Sequence, residues 1–307
     1  MLYNALRYLI CFFVIPFIFA CDKTSVVTPS KLQQETITVD NSDNPQTNNS
    51  KLRLAFSVTE FSVGTNRVRF SLIDPESGPL RSKNVIVQIF YLEEGNQKSL
   101  EDTQIAHYYD WPMPSTGVYG IETAFTKPGK WGMGVSVETE NTTKTSSVYF
   151  TVKNQSATPE IGKKIPMTDN ITVDDAQNIN YITSDPNPYL AFYQTKISES
   201  VASERGTLVV FSSPAFCKTG TCGPQLKIIK DLHPKFQKYV DFIHIEIYKN
   251  PHMLEGKVGK SDINPIVSAW NLPSEPWTFV ADSTGKLTNK FEGLVTTSEL
   301  VKALNTK

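Results

Sequence analysis

The sequence predicts two folded domains in tandem, an all-β sandwich followed by an α/β unit, and three observations carry that prediction. Residues 51–153 run as short segments of alternating apolar and polar residues separated by turn residues. From about residue 197 the texture changes to short apolar runs that alternate with helical periodicity. Between them, residues 154–190 are rich in Pro, Asn, Asp and Thr and read as a linker and entry segment. At 307 residues the chain is long enough for both domains. Its 30 Lys plus Arg against 31 Asp plus Glu give no basic field, so the charge balance argues against a nucleic-acid partner.

The N-terminus sets the compartment. In "MLYNALRYLICFFVIPFIFAC" the basic Arg7 precedes a largely apolar stretch over 8–20, short of the roughly 20 residues a membrane-spanning helix needs. The ending "IFAC" resembles a bacterial lipobox. That resemblance implies a lipoprotein signal peptide over 1–20 and a lipid on Cys21, which becomes the mature N-terminus. An uncleaved anchor is the alternative. Either arrangement ties the protein to a membrane and places its folded part outside the cytoplasm, where disulfides persist. Cys11 would leave with the signal, so the side-chain thiols left in the folded part are Cys217 and Cys222. Residues 21–50, rich in Thr, Ser, Asn, Gln and Asp, read as a disordered tether.

In 51–153, "LRLAFSVTEF", "NRVRFSLID", "NVIVQIFYLE", "GVYGIETAF", "KWGMGVSVETE" and "SSVYFTVK" alternate as strands, with breaks at Gly64, 75–78 and 128–129. About seven strands at this spacing predict an antiparallel sandwich. The run "GVYGIETAFTKPGKWGMGVSV" resembles the closing strands of Ig-like domains of the FixH/YtkA kind. "HYYDWPMP" (107–114) reads as an aromatic loop, either a partner contact or a cap folded back on the sandwich.

Over 191–307, "ISESVASE" reads as a helix, "TLVVFSS" as a buried strand, "GPQLKIIKDL" as an amphipathic helix and "YVDFIHIEIY" as a second strand. "NPIVSAWNL" follows as a short helix, "WTFVAD" and "KLTNKFEG" as a hairpin, and "TSELVKALN" as a closing helix. "TLVVFSSPAFCKTGTCGP", "SEPWTFVAD" and the terminal hairpin and helix together resemble a thioredoxin-like fold. The resemblance implies thiol–disulfide exchange with protein thiols by Cys217 and Cys222, and a cis Pro276 facing the pair. It departs from the family pattern in placing four residues between the cysteines and Gly-Pro after the second.

The residues themselves bear on the chemistry. A thiolate is the nucleophile, and a helix N-terminus stabilises it, which favours Cys222 ahead of Gly223-Pro224. Cys217 follows the aromatic Phe216, as the family's nucleophile does, so both assignments stay open. With no acid in "TLVVFSSPAF", His244 and Glu246 on the second strand are the candidates for proton transfer. No cofactor is expected. The alternatives are a Sco-like copper-binding protein using Cys217, Cys222 and His244, since soft thiolates suit Cu(I), and a non-catalytic binding module with a structural disulfide. Closure of so short a loop contributes about 2 kcal/mol at best, a weak reason for such a bond.

Overall fold

The alternating segments of 51–153 build ten strands rather than seven. The computed structural model describes residues 52–305 apart from 95–96, 112–116 and 140–141. The expected signal peptide and tether, with Cys21, lie outside the described residues, as does the 112–114 end of the aromatic loop. In chain order the strands are β1 (Arg53–Phe56), β2 (Phe61–Ser62), β3 (Gly64–Asp74), β4 (Gly78–Pro79), β5 (Val85–Leu92), β6 (Lys98–Ile105), β7 (His107–Asp110), β8 (Gly117–Phe125), β9 (Gly129–Glu138) and β10 (Thr143–Lys153). One sheet runs β1-β3-β8-β7 with β4 on β3, and the other runs β2-β10-β9-β5-β6.

Alternation decides which face is inside. Val85, Val87 and Ile89 of β5 are buried while Ile86 between them is exposed. Rings from the two sheets meet in the middle: Phe56 lies 5.0 Å from Phe61 and 5.4 Å from Phe150, and Phe125 lies 4.9 Å from Trp131. Such pairs add about 0.5–1.5 kcal/mol each beyond their buried area. The stretch expected as an aromatic loop forms the edge strand β7. Its Tyr109 ring lies 4.3 Å from the Arg69 guanidinium and so covers a buried cation.

After the sandwich come α1 (Ile197–Ala202), β11 (Gly206–Ser212), α2 (Cys222–Phe236), β12 (Val240–Glu246), α3 (Pro265–Ala269), β13 (Trp277–Ala281), β14 (Leu287–Glu292) and α4 (Thr297–Asn305). They form a third sheet of order β12-β11-β13-β14, with β11 parallel to β12 and antiparallel to β13. Every residue of β11 from Thr207 to Ser212 is buried because both of its faces are covered. Leu208 and Val210 pack with Leu226, Ile229 and Leu300 on one side. Val209 and Phe211 pack with Ile197, Val267 and Trp270 on the other. In α2 the buried Leu226, Ile229, Leu232 and Phe236 recur at helical spacing. Pro224 sits in the first turn, where its missing N–H leaves no helical bond unmade.

Residues 154–190 are a strap laid along this third sheet. The N–H of Leu287 donates to Lys163 O and that of Gly162 donates to Leu287 O, both at 2.8 Å. The Trp270 indole donates to Thr168 Oγ1 at 3.2 Å. The sandwich also grips the sheet directly. Glu299 of α4 accepts from Arg67 Nε at 2.8 Å and from Arg69 Nη2 at 2.7 Å, and Thr59 N donates to Glu292 Oε2 at 2.9 Å.

These contacts correct the predicted fold class. The expectation of an Ig-like sandwich followed by a separate α/β thioredoxin-like domain gives way to a mostly β architecture, with 40% strand against 20% helix in several sheets. The described residues all belong to one compact unit. Helix is scarce because α1 and α3 run for only 6 and 5 residues. Glu204 and Asn271, close behind them, adopt left-handed backbone at φ 58° and 53°, which breaks the helical run. No helix among the described residues is long and apolar enough to cross a membrane.

Candidate functional site

The loop after β11 carries Cys217, and the first residue of α2 is Cys222. The two are joined as a disulfide with 6.0 Å between their Cα atoms. Their surroundings differ. Cys222 is fully buried, whereas Cys217 is half-buried and flanked by the exposed Lys218, Thr219 and Gly220. The N–H of Cys222, at the start of the helix, donates to Cys217 Sγ at 3.3 Å, and Thr219 Oγ1 lies 3.3 Å from the same sulfur. The helix N-terminus therefore serves the sulfur of Cys217, not that of its own cysteine. Of the two nucleophile assignments left open by the sequence, this geometry supports Cys217 as the sulfur that holds negative charge.

Cys222 Sγ instead faces an acid. Oε2 of Glu275 lies 3.7 Å from it, and Glu275 is joined to Pro276 by a cis peptide bond directly before β13. Burial pushes the Glu275 carboxyl up to about 8; the nearby Glu246 charge adds to this and Lys218 opposes it. At neutral pH the group is held mainly as COOH, with its proton available toward the sulfur. Neither composition nor periodicity marked Glu275. Its one signal was position, an acid immediately before the proline that the resemblance singled out.

His244 and Glu246 occupy the same face of β12. His244 Nδ1 lies 2.7 Å from the Tyr193 hydroxyl and its Nε2 lies 2.9 Å from Ser212 Oγ, so both ring nitrogens are engaged away from the cysteines. Burial pushes its pKa down to about 4, leaving a neutral ring that ties β12 to Tyr193 and to β11. Glu246 accepts from Ser184 N at 2.7 Å, and burial raises its pKa. The ring of Phe216 meets that of Tyr248 edge-on at 5.7 Å, flanking the loop of Cys217.

The metal question has a specific answer in the geometry. Cys217, Cys222 and Glu275 bring ligand atoms within 4.8 Å of one another, and His244 is not part of this group. The histidine needed by the copper alternative is thus held elsewhere, and a carboxylate stands in its place.

No protein-family model matches the chain, and no curated protein matches it either. Among solved structures, the chain is similar to the PKD domain of the human VPS10 domain-containing receptor SorCS2. The match has 15% identity and a TM-score of 0.20, and covers 44% of this chain and 98% of that one. Agreement that loose bears on neither fold nor site, and the functional reading rests on the residues.

Proposed function

We propose that the protein exchanges disulfides with protein thiols at Cys217–Cys222, on the outer side of a membrane to which a lipid on Cys21 tethers it. The observation that carries this reading is the asymmetry of the bond. One sulfur is half-buried beside the Cys222 N–H and the Thr219 hydroxyl, and the other is fully buried with the Glu275 carboxyl 3.7 Å away. A purely structural bond needs neither feature.

The exchange follows from these positions. A substrate thiolate attacks Cys217 Sγ, the S–S bond breaks, and Cys222 leaves with the electron pair. Glu275 gives its proton to the departing sulfur, leaving a Cys222 thiol and a Glu275 carboxylate. The second substrate thiolate then attacks its partner sulfur, releasing Cys217 as a thiolate. The substrate dithiol is oxidised to a disulfide, the protein's disulfide is reduced to a dithiol, and water supplies and removes the remaining protons. Run backwards, the Glu275 carboxylate takes the proton from Cys222 so that its thiolate resolves a mixed disulfide on Cys217.

Equilibration with glutathione buffers of known potential, followed by thiol trapping, tests the reading. The expected potential lies above about −300 mV, and a value well below that marks a structural bond and overturns the proposal. In Cys222→Ser, the Cys217 thiolate is expected to attack a substrate disulfide, release one substrate sulfur as a thiolate, and stay trapped as the mixed disulfide.

A further inference from the structure

We propose that the reduced chain binds one Zn²⁺ through Cys217, Cys222 and Glu275, and that the disulfide is the closed state of this metal site. The inference goes beyond thiol exchange, because any thiol or phosphine reductant exposes the same ligands whether or not protein thiols are the natural substrate.

The donor set points to the metal. Two thiolates are soft, one carboxylate is hard, and a borderline cation that accepts both at four-coordinate geometry is zinc. Cu(I) gains little from an oxygen ligand, and His244, which suits it better, has both nitrogens engaged by Tyr193 and Ser212. Spacing agrees. With Zn–S of about 2.3 Å and Zn–O of about 2.1 Å, tetrahedral geometry sets sulfur and oxygen about 3.6 Å apart. Cys222 Sγ and Glu275 Oε2 stand 3.7 Å apart already. The two sulfurs must separate on reduction, and the 6.0 Å between the Cα atoms leaves room for that without moving the helix.

The outer contacts favour the same state. Cys217 Sγ has the Cys222 N–H and the Thr219 hydroxyl beside it, and Thr219 Oγ1 is itself held 2.7 Å from Thr221 Oγ1. Hydrogen bonds of this kind fix a metal-bound thiolate. Two thiolates, one carboxylate and Zn²⁺ leave a net charge of −1. Lys218 lies close enough to act on Glu275 and complements that charge. Glu246 also acts on Glu275, and burial raises its own pKa. Tyr248, the remaining titratable group facing Glu275, is held neutral by burial, with a pKa pushed up to about 12. Water would complete the four-coordinate shell that three protein ligands leave open. Binding replaces up to three protons, two from the thiols and one from Glu275.

The test uses the full chain, reduced with a phosphine and titrated with Zn²⁺ against the chromophoric chelator 4-(2-pyridylazo)resorcinol. One Zn²⁺ per reduced chain and none per oxidised chain is the expected result. Glu275→Gln should weaken binding at least tenfold, and Co²⁺ in place of Zn²⁺ should give thiolate charge-transfer bands in a tetrahedral spectrum. Cys217→Ser and Cys222→Ser should lose the metal. The oxidised wild type, folded and carrying every ligand residue, is the control that does not depend on those variants folding. Reduced wild type that leaves Zn²⁺ on the chelator overturns the proposal. So does a Glu275→Gln chain that binds as tightly as wild type. A potential well below −300 mV together with stoichiometric Zn²⁺ binding would remove the exchange reading and leave this one standing.

Discussion

Two acids, one at the seam between the sandwich and the third sheet and one at the head of α2, are held in opposite ionisation states. At the seam, burial raises the Glu299 pKa, but Arg67, Arg69 and the Thr296 N–H more than offset it and hold the carboxyl at about 2. At the site, Glu275 is pushed to about 8, with only Lys218 opposing its burial and its neighbour Glu246. The seam has its charge compensated on every side. The site keeps a proton it can give away. A fold can bury an acid for either purpose, and the number of donors around the carboxylate separates the two.

The largest expected effect lies at the seam. Glu299→Gln leaves Arg69, only 3% exposed, and Arg67 without their carboxylate, and should cost about 3–5 kcal/mol in urea unfolding. The pH dependence has a definite sign. A folded pKa below the unfolded value gives stability that is present above about pH 4.5 and lost as pH falls through 2, and the variant should lose that component. Glu275→Gln should act in the opposite direction. Its folded pKa is raised, so wild type loses stability as pH rises from about 4.5 through 8. The variant should therefore be more stable above pH 8, by about 1–2 kcal/mol given that the side chain is only partly buried. The same substitution should slow mixed-disulfide resolution roughly 10²-fold at neutral pH, read as the second phase of thionitrobenzoate release from Ellman's reagent. Equal stability curves for the two variants would erase the contrast.

Much of the local structure was legible in the residues. β11 follows from the apolar run in "TLVVFSS", α2 from its 3–4 spacing, and the β13–β14 hairpin from Gly285, whose φ of 75° closes the turn beside Asp282. The disulfide partners were legible as the two close-spaced cysteines of the folded part. What could not be read was whatever depends on contacts far apart in sequence. Arg67 and Glu299 are 232 residues apart, so no window joins them and the chain looked like two separate domains. The strap reads as a linker because the bonds that dock its 162–165 segment go to the backbone of Leu287 and Gly285, which carries no side-chain signal. Glu275 has no local signal for the same reason: its meaning comes from the Cys222 sulfur, 53 residues away in the chain. His244 and Glu246 are plausible by face, but Tyr193, Ser212 and the strap residues Thr183 and Ser184 take up their hydrogen bonds.

The smallest effect should come from Thr219, and it bears on the same contrast between compensated and exposed charge. Its hydroxyl lies 3.3 Å from Cys217 Sγ and is kept there by Thr221 Oγ1, itself on a buried residue at the cap of α2. Thr219→Val keeps the shape and removes the donor. Thr219 is exposed, so water replaces part of its hydrogen bond and the net contribution to the Cys217 thiolate is about 1 kcal/mol; its pKa should rise by less than one unit. The pH profile of iodoacetamide alkylation measures the shift directly. An unchanged profile would leave the Cys222 N–H and the helix N-terminus as the sole source of thiolate stabilisation. A shift of two units or more would make the loop, not the helix, the main source.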